Sequence, residues 1–145
     1  MEDTGITSSF TARERVETVT HQGKIICMLI RSEPLPETTT FYTSSELPLQ
    51  VGNIVYPAGS EIPRHSHRPM SRNVVGTPEV LVVQKGRMML DVYADERTFL
   101  CRREMGPGDV ILLAAGGHGF HFLENTVLLE VKQGPYQGDQ EKERF

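Results

Sequence analysis

Short apolar runs separated by turn-forming residues are the feature that most constrains the fold of this chain. No segment keeps a helical period over several turns, whereas runs of about four to eight residues alternate or are rich in β-branched side chains. In Arg87–Ala94, for example, Met88, Leu90 and Val92 fall on one side of an extended chain. The predicted strands are Arg13–Thr20, Lys24–Arg31, Leu49–Tyr56, Glu79–Gln84, Arg87–Ala94, Arg97–Met105, Val110–Leu113, Phe120–Leu123 and Thr126–Lys132. Strands at this spacing predict an all-β sandwich or barrel.

The composition of the chain argues against several classes of function. With 145 residues and a net charge of −4, the chain is a poor candidate for wrapping nucleic acid or binding anionic lipid. The longest apolar stretch, Ile25–Ile30, is far shorter than the roughly 20 residues of a membrane helix. Cys27 and Cys101 form no Cys-x-x-Cys pair, which argues against a zinc ribbon or a thioredoxin-like site. No secretory signal is visible, so we expect a cytoplasmic protein with free thiols.

Three histidines and one glutamate are the residues with the clearest chemical potential. His65 and His67 are two residues apart, so on an extended chain both imidazoles point to one face, as metal ligands do. Glu79 opens the apolar run Val80–Val83, and His118 follows two glycines. Each residue also has a simpler interpretation, because polar histidines are common in loops and a glutamate at a strand end is often solvated.

These residues lie in two motifs that resemble those of the cupin superfamily. The first motif is Gly, five residues, His-x-His, a spacer, Glu, six residues and Gly, and it is matched here by Gly59, His65, His67, Glu79 and Gly86. The spacer between His67 and Glu79 has eleven residues, where the family has three or four. The second motif runs from Gly108-Asp109 to His118, with Ala114 in place of a proline and a turn that is one residue shorter. The resemblance covers about residues 50–132.

The resemblance implies a jelly-roll barrel over residues 49–133. Residues 1–48 would add N-terminal strands and an irregular crossing to the same domain, and residues 134–145 would form a polar tail. His65, His67, Glu79 and His118 would bind one divalent ion, and Fe, Mn, Ni, Zn and Co all accept this donor set. Family members often pair through N-terminal strands, so residues 13–31 predict a homodimer.

The segments Gly116–Phe120 and Glu130–Tyr136 look like those of a subgroup of small cupins. Some members of that subgroup accompany sugar-nucleotide and surface-polysaccharide pathways. The ligand suggested by the resemblance is therefore a small oxygen-bearing metabolite, such as a sugar derivative or a sugar nucleotide. Two hypotheses follow: a metal-dependent enzyme, with oxygenase, isomerase or lyase chemistry left open, or a non-enzymatic metabolite-binding cupin whose metal is structural or absent.

Three side-chain assignments stay open at the sequence level. His121 has the His-x-x-x-Asn spacing and is the alternative fourth ligand, but strand alternation places His118 with the apolar Phe120 and favours His118. Glu130 interrupts an apolar strand and lies either on a solvated face or in the cavity. Arg72, in the long spacer, is either a solvated loop residue or a clamp for an anionic ligand.

Overall fold

The structure, a computed structural model, describes residues 5–11 and 15–145, without the side chains of residues 10 and 11. The described residues form an all-β protein with antiparallel strand pairing, as predicted, and the architecture is compatible with a jelly roll. The strands are β1 (Ile6–Thr11), β2 (Val16–His21), β3 (Lys24–Ile30), β4 (Thr40–Phe41), β5 (Gly52–Asn53), β6 (Glu79–Lys85), β7 (Met88–Tyr93), β8 (Phe99–Met105), β9 (Val110–Leu113), β10 (Gly117–Phe122) and β11 (Val127–Lys132). One turn of 3-10 helix, Gly138–Glu141, follows β11.

The described chain divides into two compact units. The first unit, which we call the sheet unit, contains the described residues up to Pro34 together with Thr77–Phe145, and the second unit is Leu35–Gly76. The sheet unit contains a six-stranded sheet in the order β1-β2-β3-β9-β6-β11 and a three-stranded sheet in the order β10-β7-β8. The second unit contains the short β4-β5 pair and is otherwise irregular.

The core of the sheet unit follows from strand alternation. In β7 the buried side chains are Met88, Leu90 and Val92, while the residues between them are only half-buried. Leu81 and Val83 of β6 join them in one cluster of buried side chains. Apolar side chains on alternate residues thus stabilise the unit by leaving water together.

Most of the predicted strands are observed, with some differences. Leu49–Tyr56 contributes only the two-residue strand β5, β1 and β4 were not predicted, and β10 begins three residues before the predicted Phe120. The first two residues of the predicted strand Arg13–Thr20 lie outside the described residues, and the remainder contains β2.

The turn-forming residues of Gln84-Lys85-Gly86 and Ala94-Asp95-Glu96 each predict a β-hairpin, and the structure confirms only the second. Ala94-Asp95-Glu96 connects β7 to β8, which pair antiparallel, so the predicted hairpin is confirmed. Gln84-Lys85-Gly86 was also expected to form a hairpin, and this prediction is wrong, because β6 and β7 belong to different sheets. At Gly86 the backbone has φ +85°, and a Cβ would lie 2.5 Å from the carbonyl oxygen of Asn125. Glycine is therefore needed where the chain passes from one sheet to the other.

Candidate functional site

Glu79 is a buried carboxylate at the start of β6. It is 8% exposed and lies in register with Leu113 of β9 on one side and Lys132 of β11 on the other. Because side chains alternate along a strand, Glu79 shares the inner face of β6 with Leu81 and Val83 of the core. The glutamate that opens this apolar run therefore faces the interior of the sheet unit, and the simpler interpretation of a solvated strand end does not hold.

His118 approaches Glu79 from the other sheet. In β10 it lies in register with the buried Val92 of β7, so its side chain is on the inner face. The Nε2 atom of His118 is 3.4 Å from Oε2 of Glu79, and the imidazole side chain is 31% exposed. Residues from the two separate sequence motifs therefore meet inside the sheet unit.

The electrostatics of His118 favour a neutral imidazole. Burial is the largest influence and, together with the positive charge of Lys142, lowers the pKa of His118, although Glu79 and Glu130 act in the opposite direction. The net result is a pKa below the usual value, so the ring is uncharged at neutral pH. A neutral imidazole beside a carboxylate offers two electron-pair donors, as a divalent metal ion or a proton-transfer step requires.

His121 points away from this pair. It lies in register with Met89, one residue out of phase with His118, so its side chain is on the outer face of β10. On that face His121 lies near Asp91, which Arg102 contacts. Of the two histidines considered as fourth ligand, only His118 lies beside Glu79.

Glu130 lies on the inner face of β11, and its side chain is nevertheless exposed to solvent. Its register partner is the core residue Leu81, while its own side chain is 41% exposed. Lys132, two residues further on the same face, places its Nζ 3.3 Å from Oε1 of Glu130 and 5.1 Å from the centre of the Tyr136 ring. Glu130 thus combines features of both interpretations considered from the sequence, because it faces inward and is solvated.

Two lysines of this site were not singled out from the sequence. Lys132 lies opposite Glu79, and the charge of Lys142 acts on His118. Lys132 could have been identified from the sequence, because it lies two residues after Glu130 and therefore on the same face of a correctly predicted strand. Lys142 follows the 3-10 turn, and its position depends on how the C-terminal segment returns toward β10.

His65, His67 and Arg72 are in the second unit. The centres of the two imidazole rings are 5.4 Å apart and the ring planes are inclined at 76°, so the His-x-His residues lie edge to face. His65 Nδ1 is 2.9 Å from the carbonyl oxygen of Pro63. A hydrogen bond from Nδ1–H to this carbonyl leaves Nε2 as the free lone pair. All three side chains are exposed.

Each unit therefore brings two of the four predicted ligands together. Glu79 and His118 meet in the sheet unit, and His65 and His67 meet in the second unit. Within residues 5–11 and 15–145, no group of three or more His, Cys, Asp or Glu side chains is arranged to hold a metal ion. Binding of one ion by all four residues stays a prediction.

Asp109, from the second motif, has a structural role. Its buried carboxylate accepts hydrogen bonds from the backbone N–H groups of Ser32 and Gly106, at 2.9 Å each, and from Arg31 Nη1 at 3.1 Å. This carboxylate joins the end of β3 to the turn between β8 and β9. The Gly-Asp pair of the motif thus stabilises the fold.

Comparisons of the chain with protein-family models, with curated proteins and with solved structures found no match. Among the described residues, no helix is long and apolar enough to cross a membrane.

Proposed function

We propose that this protein is a metal-binding cupin that acts on, or binds, a small oxygen-bearing metabolite. The observation that carries the proposal is the contact between Glu79 and His118, two residues from separate cupin-like motifs. They are 39 positions apart in sequence and on different sheets, yet their donor atoms face each other at 3.4 Å. A buried carboxylate in an apolar strand is costly unless a partner compensates its charge, and a bound cation would do so for Glu79.

The donor set fits a divalent ion. Glu79 would supply a carboxylate oxygen and His118 a neutral imidazole nitrogen, and His65 and His67 would complete the set according to the motif spacing. The contact of His65 Nδ1 with the Pro63 carbonyl supports this role, since metal-binding histidines commonly donate their second N–H to a carbonyl group. Three neutral imidazoles and one carboxylate suit Fe, Mn, Ni, Zn or Co.

When bound, such an ion would polarise a substrate oxygen or lower the pKa of a bound water. The residues of the chain itself would position the metabolite. Lys132 carries a positive charge next to Glu130 on the same inner face, where it would bind a carboxylate, phosphate or hydroxyl group. Phe120, on the inner face beside His118, would provide an apolar wall.

Metal content per chain tests the proposal directly. The protein, purified without chelators and then titrated with Mn, Fe, Ni, Co and Zn, is expected to bind one ion per chain. Glu79→Gln and the His65→Ala/His67→Ala double variant are each expected to lose it. His121→Ala is the matched control, because it removes an imidazole from the outer face of the same strand as His118, and it should keep full occupancy.

Two results would overturn the assignment. Full occupancy in Glu79→Gln would show that the buried carboxylate is not a ligand. Full occupancy in the His65→Ala/His67→Ala double variant, with loss in Glu79→Gln, would remove the His-x-His pair from the ligand set. Circular dichroism and thermal unfolding of each variant separate loss of metal from loss of fold.

A second candidate is a metabolite-binding protein in which the metal is structural or absent. The observation in its favour is the row of charged side chains Glu130 and Lys132 with Tyr136 nearby, because alternating charge and an aromatic ring suit a polyhydroxylated ligand. Thermal-shift screening of apo and metal-loaded protein against nucleotide sugars and keto acids separates the two candidates. A stabilising shift of equal size in both forms favours the second candidate, and a shift that requires metal favours the first.

A further inference from the structure

The segment that follows β11 runs from one sheet of the sheet unit to the other. We call this segment, residues 133–145, the strap. At its start the backbone N–H of Gln133 donates a hydrogen bond to the carbonyl oxygen of Pro78 at 3.1 Å. At its end the ring of Phe145 lies 5.2 Å from the ring of Tyr93 in β7, measured between the ring centres. The strap thus begins beside the start of β6 and ends on the three-stranded sheet.

The two ends of the strap lie on either side of the contact between Glu79 and His118. Lys132, which directly precedes the strap, lies in register with Glu79. At the other end the ring of Phe145 lies against Gly117, the residue before His118, because a Cβ on Gly117 would be 2.8 Å from Cζ of Phe145. The strap therefore crosses the sheet unit at the end where the buried carboxylate and the imidazole meet.

Within the strap, Lys142 lies between two residues that have partners. Oε1 of Glu141 accepts a hydrogen bond from the backbone N–H of Gln137 at 2.8 Å. Oε1 of Glu143 is 2.6 Å from Nη2 of Arg97. The backbone of Lys142 is extended, and in the part of the chain that the structure describes its ammonium group has no hydrogen-bonding or ionic partner. The strap thus presents one unpaired cation, held from both sides.

The charges around this end of the unit favour an anionic ligand once an ion is bound. The charged side chains that act on His118 or on Lys132, together with Lys132 itself, are Glu79, Glu130, Glu141, Lys132 and Lys142. Three carboxylates and two ammonium groups leave one net negative charge, which a divalent ion would convert into one net positive charge. Lys132 is already paired with Glu130 at 3.3 Å, so Lys142 carries the ammonium group that is available to a ligand.

We propose that Lys142, positioned by the strap, binds the anionic group of the metabolite. The inference rests on the proposed metal-binding function, and it narrows the ligand to a metabolite that carries a carboxylate or a phosphate. The ion would bind an oxygen of this metabolite, while the ammonium group of Lys142 would pair with its negative charge. A lysine is a compact point charge on a flexible stem, so it accepts either anion.

Anion binding by the metal-loaded protein provides the test. Isothermal titration calorimetry with glycolate and with inorganic phosphate is expected to show binding of at least one anion, and the tighter of the two identifies the anionic group. Ethylene glycol, the uncharged counterpart of glycolate, should not bind. Lys142→Gln should weaken anion binding by about tenfold or more, and Lys142→Arg should retain most of it. Metal-free protein should bind neither anion, because the net charge of the site is then negative.

Two matched pairs of variants make the test specific. Lys85→Gln removes the same charge as Lys142→Gln but at the far end of β6, and it should leave the affinity for the anion unchanged. Phe145→Ala releases the end of the strap without a change of charge, and it should weaken anion binding as well. Phe99→Ala removes the other aromatic neighbour of Tyr93, at 5.6 Å and outside the strap, and it should not.

Metal content, measured for every variant, separates failure of this inference from failure of the proposed function. Wild-type protein that takes up one ion per chain and binds neither anion overturns the inference alone, whereas protein that takes up no ion overturns both. Equal anion affinity of wild type and Lys142→Gln also overturns the inference, and equal affinity of wild type and Phe145→Ala overturns the role of the strap. Circular dichroism confirms that each variant is folded, so that a loss of affinity is read as a change at the site.

Discussion

Removal of the Arg103 guanidinium should destabilise the fold strongly, because it leaves a carboxylate buried without its main partner. Glu17 of β2 is 3% exposed, and Arg103 of β8 binds it with Nε at 3.1 Å from both carboxylate oxygens and with Nη2 at 2.7 Å from Oε1. The Ser8 hydroxyl donates a further hydrogen bond to Oε1 at 2.5 Å. The perturbation is Arg103→Met, which keeps much of the side-chain volume and removes the charge.

Substitution of Arg103 is expected to cost more folding stability than substitution of Glu17. Breaking a buried pair costs about 3–5 kcal/mol when one charge is left uncompensated, and the remaining Ser8 donor places Arg103→Met near 3 kcal/mol. The side chain of Arg103 is 32% exposed, so in Glu17→Gln the guanidinium can turn to water. That variant should cost only about 1–2 kcal/mol. The asymmetry reflects burial, since Glu17 has no such route to solvent.

The pH dependence of stability gives an independent check. Burial opposes ionisation of Glu17, but the hydrogen bonds of Arg103 and Ser8 and the charges of Arg103 and Arg31 outweigh it and lower the pKa below 4.5. A lowered folded-state pKa contributes stability above the unfolded value of about 4.5, and this stability is lost as the pH falls through the folded value. In Arg103→Met the effect of burial prevails and raises the pKa of Glu17, so the variant should gain stability as the pH falls from 7 to 5.

Urea denaturation at pH 7 and pH 5 measures both effects. The difference in free energy of unfolding between wild type and Arg103→Met should be larger at pH 7 than at pH 5. The double variant Glu17→Leu/Arg103→Met should recover most of the loss, since it leaves no buried charge. Equal costs for Arg103→Met and Glu17→Gln, or a cost for Arg103→Met that does not change with pH, would refute the reasoning.

Three further predictions concern local features of the sheet unit. Gly116 has φ +69° and a Cβ would meet the Tyr93 carbonyl oxygen, so Gly116→Ala should cost about 2 kcal/mol or more in urea denaturation, whereas Gly119→Ala has open space around its Cβ and should change stability little. Burial raises the pKa of the Cys27 thiol to about 12, so in the native protein at pH 8 a thiol reagent should modify Cys27 no faster than the chain unfolds. Asp109→Ala removes the acceptor of two backbone N–H groups and should lower the midpoint of urea denaturation by an amount equivalent to about 3 kcal/mol.

Alternation within single strands was the part of the structure that the sequence determined. The two-residue period of β7 predicted that Met88, Leu90 and Val92 would be buried, and they are. The same period placed His118 with Phe120 on the inner face of β10. These predictions succeed because the direction of a side chain depends only on the pleat of its own strand.

Strand neighbours were decided by the tertiary structure. The sequence joins β6 to β7 through a turn that looks like a hairpin, yet β6 pairs with β9 and β11, and β7 pairs with β8 and β10. Pairing of distant strands depends on how two sheets bury their apolar faces against each other, and no local pattern encodes it. For this reason Lys132 could not be placed opposite Glu79 from the sequence.

The candidate site shows the same division. The sequence identified Glu79 and His118 as residues with chemical potential, because their types and spacing match a metal-binding pattern. The two side chains meet at 3.4 Å because one sheet packs on the other. Glu130 and Lys132 lie on the same inner surface because of the register of β6 with β11. Residue types are a local property of the chain, whereas proximity is set by the free energy of the whole fold.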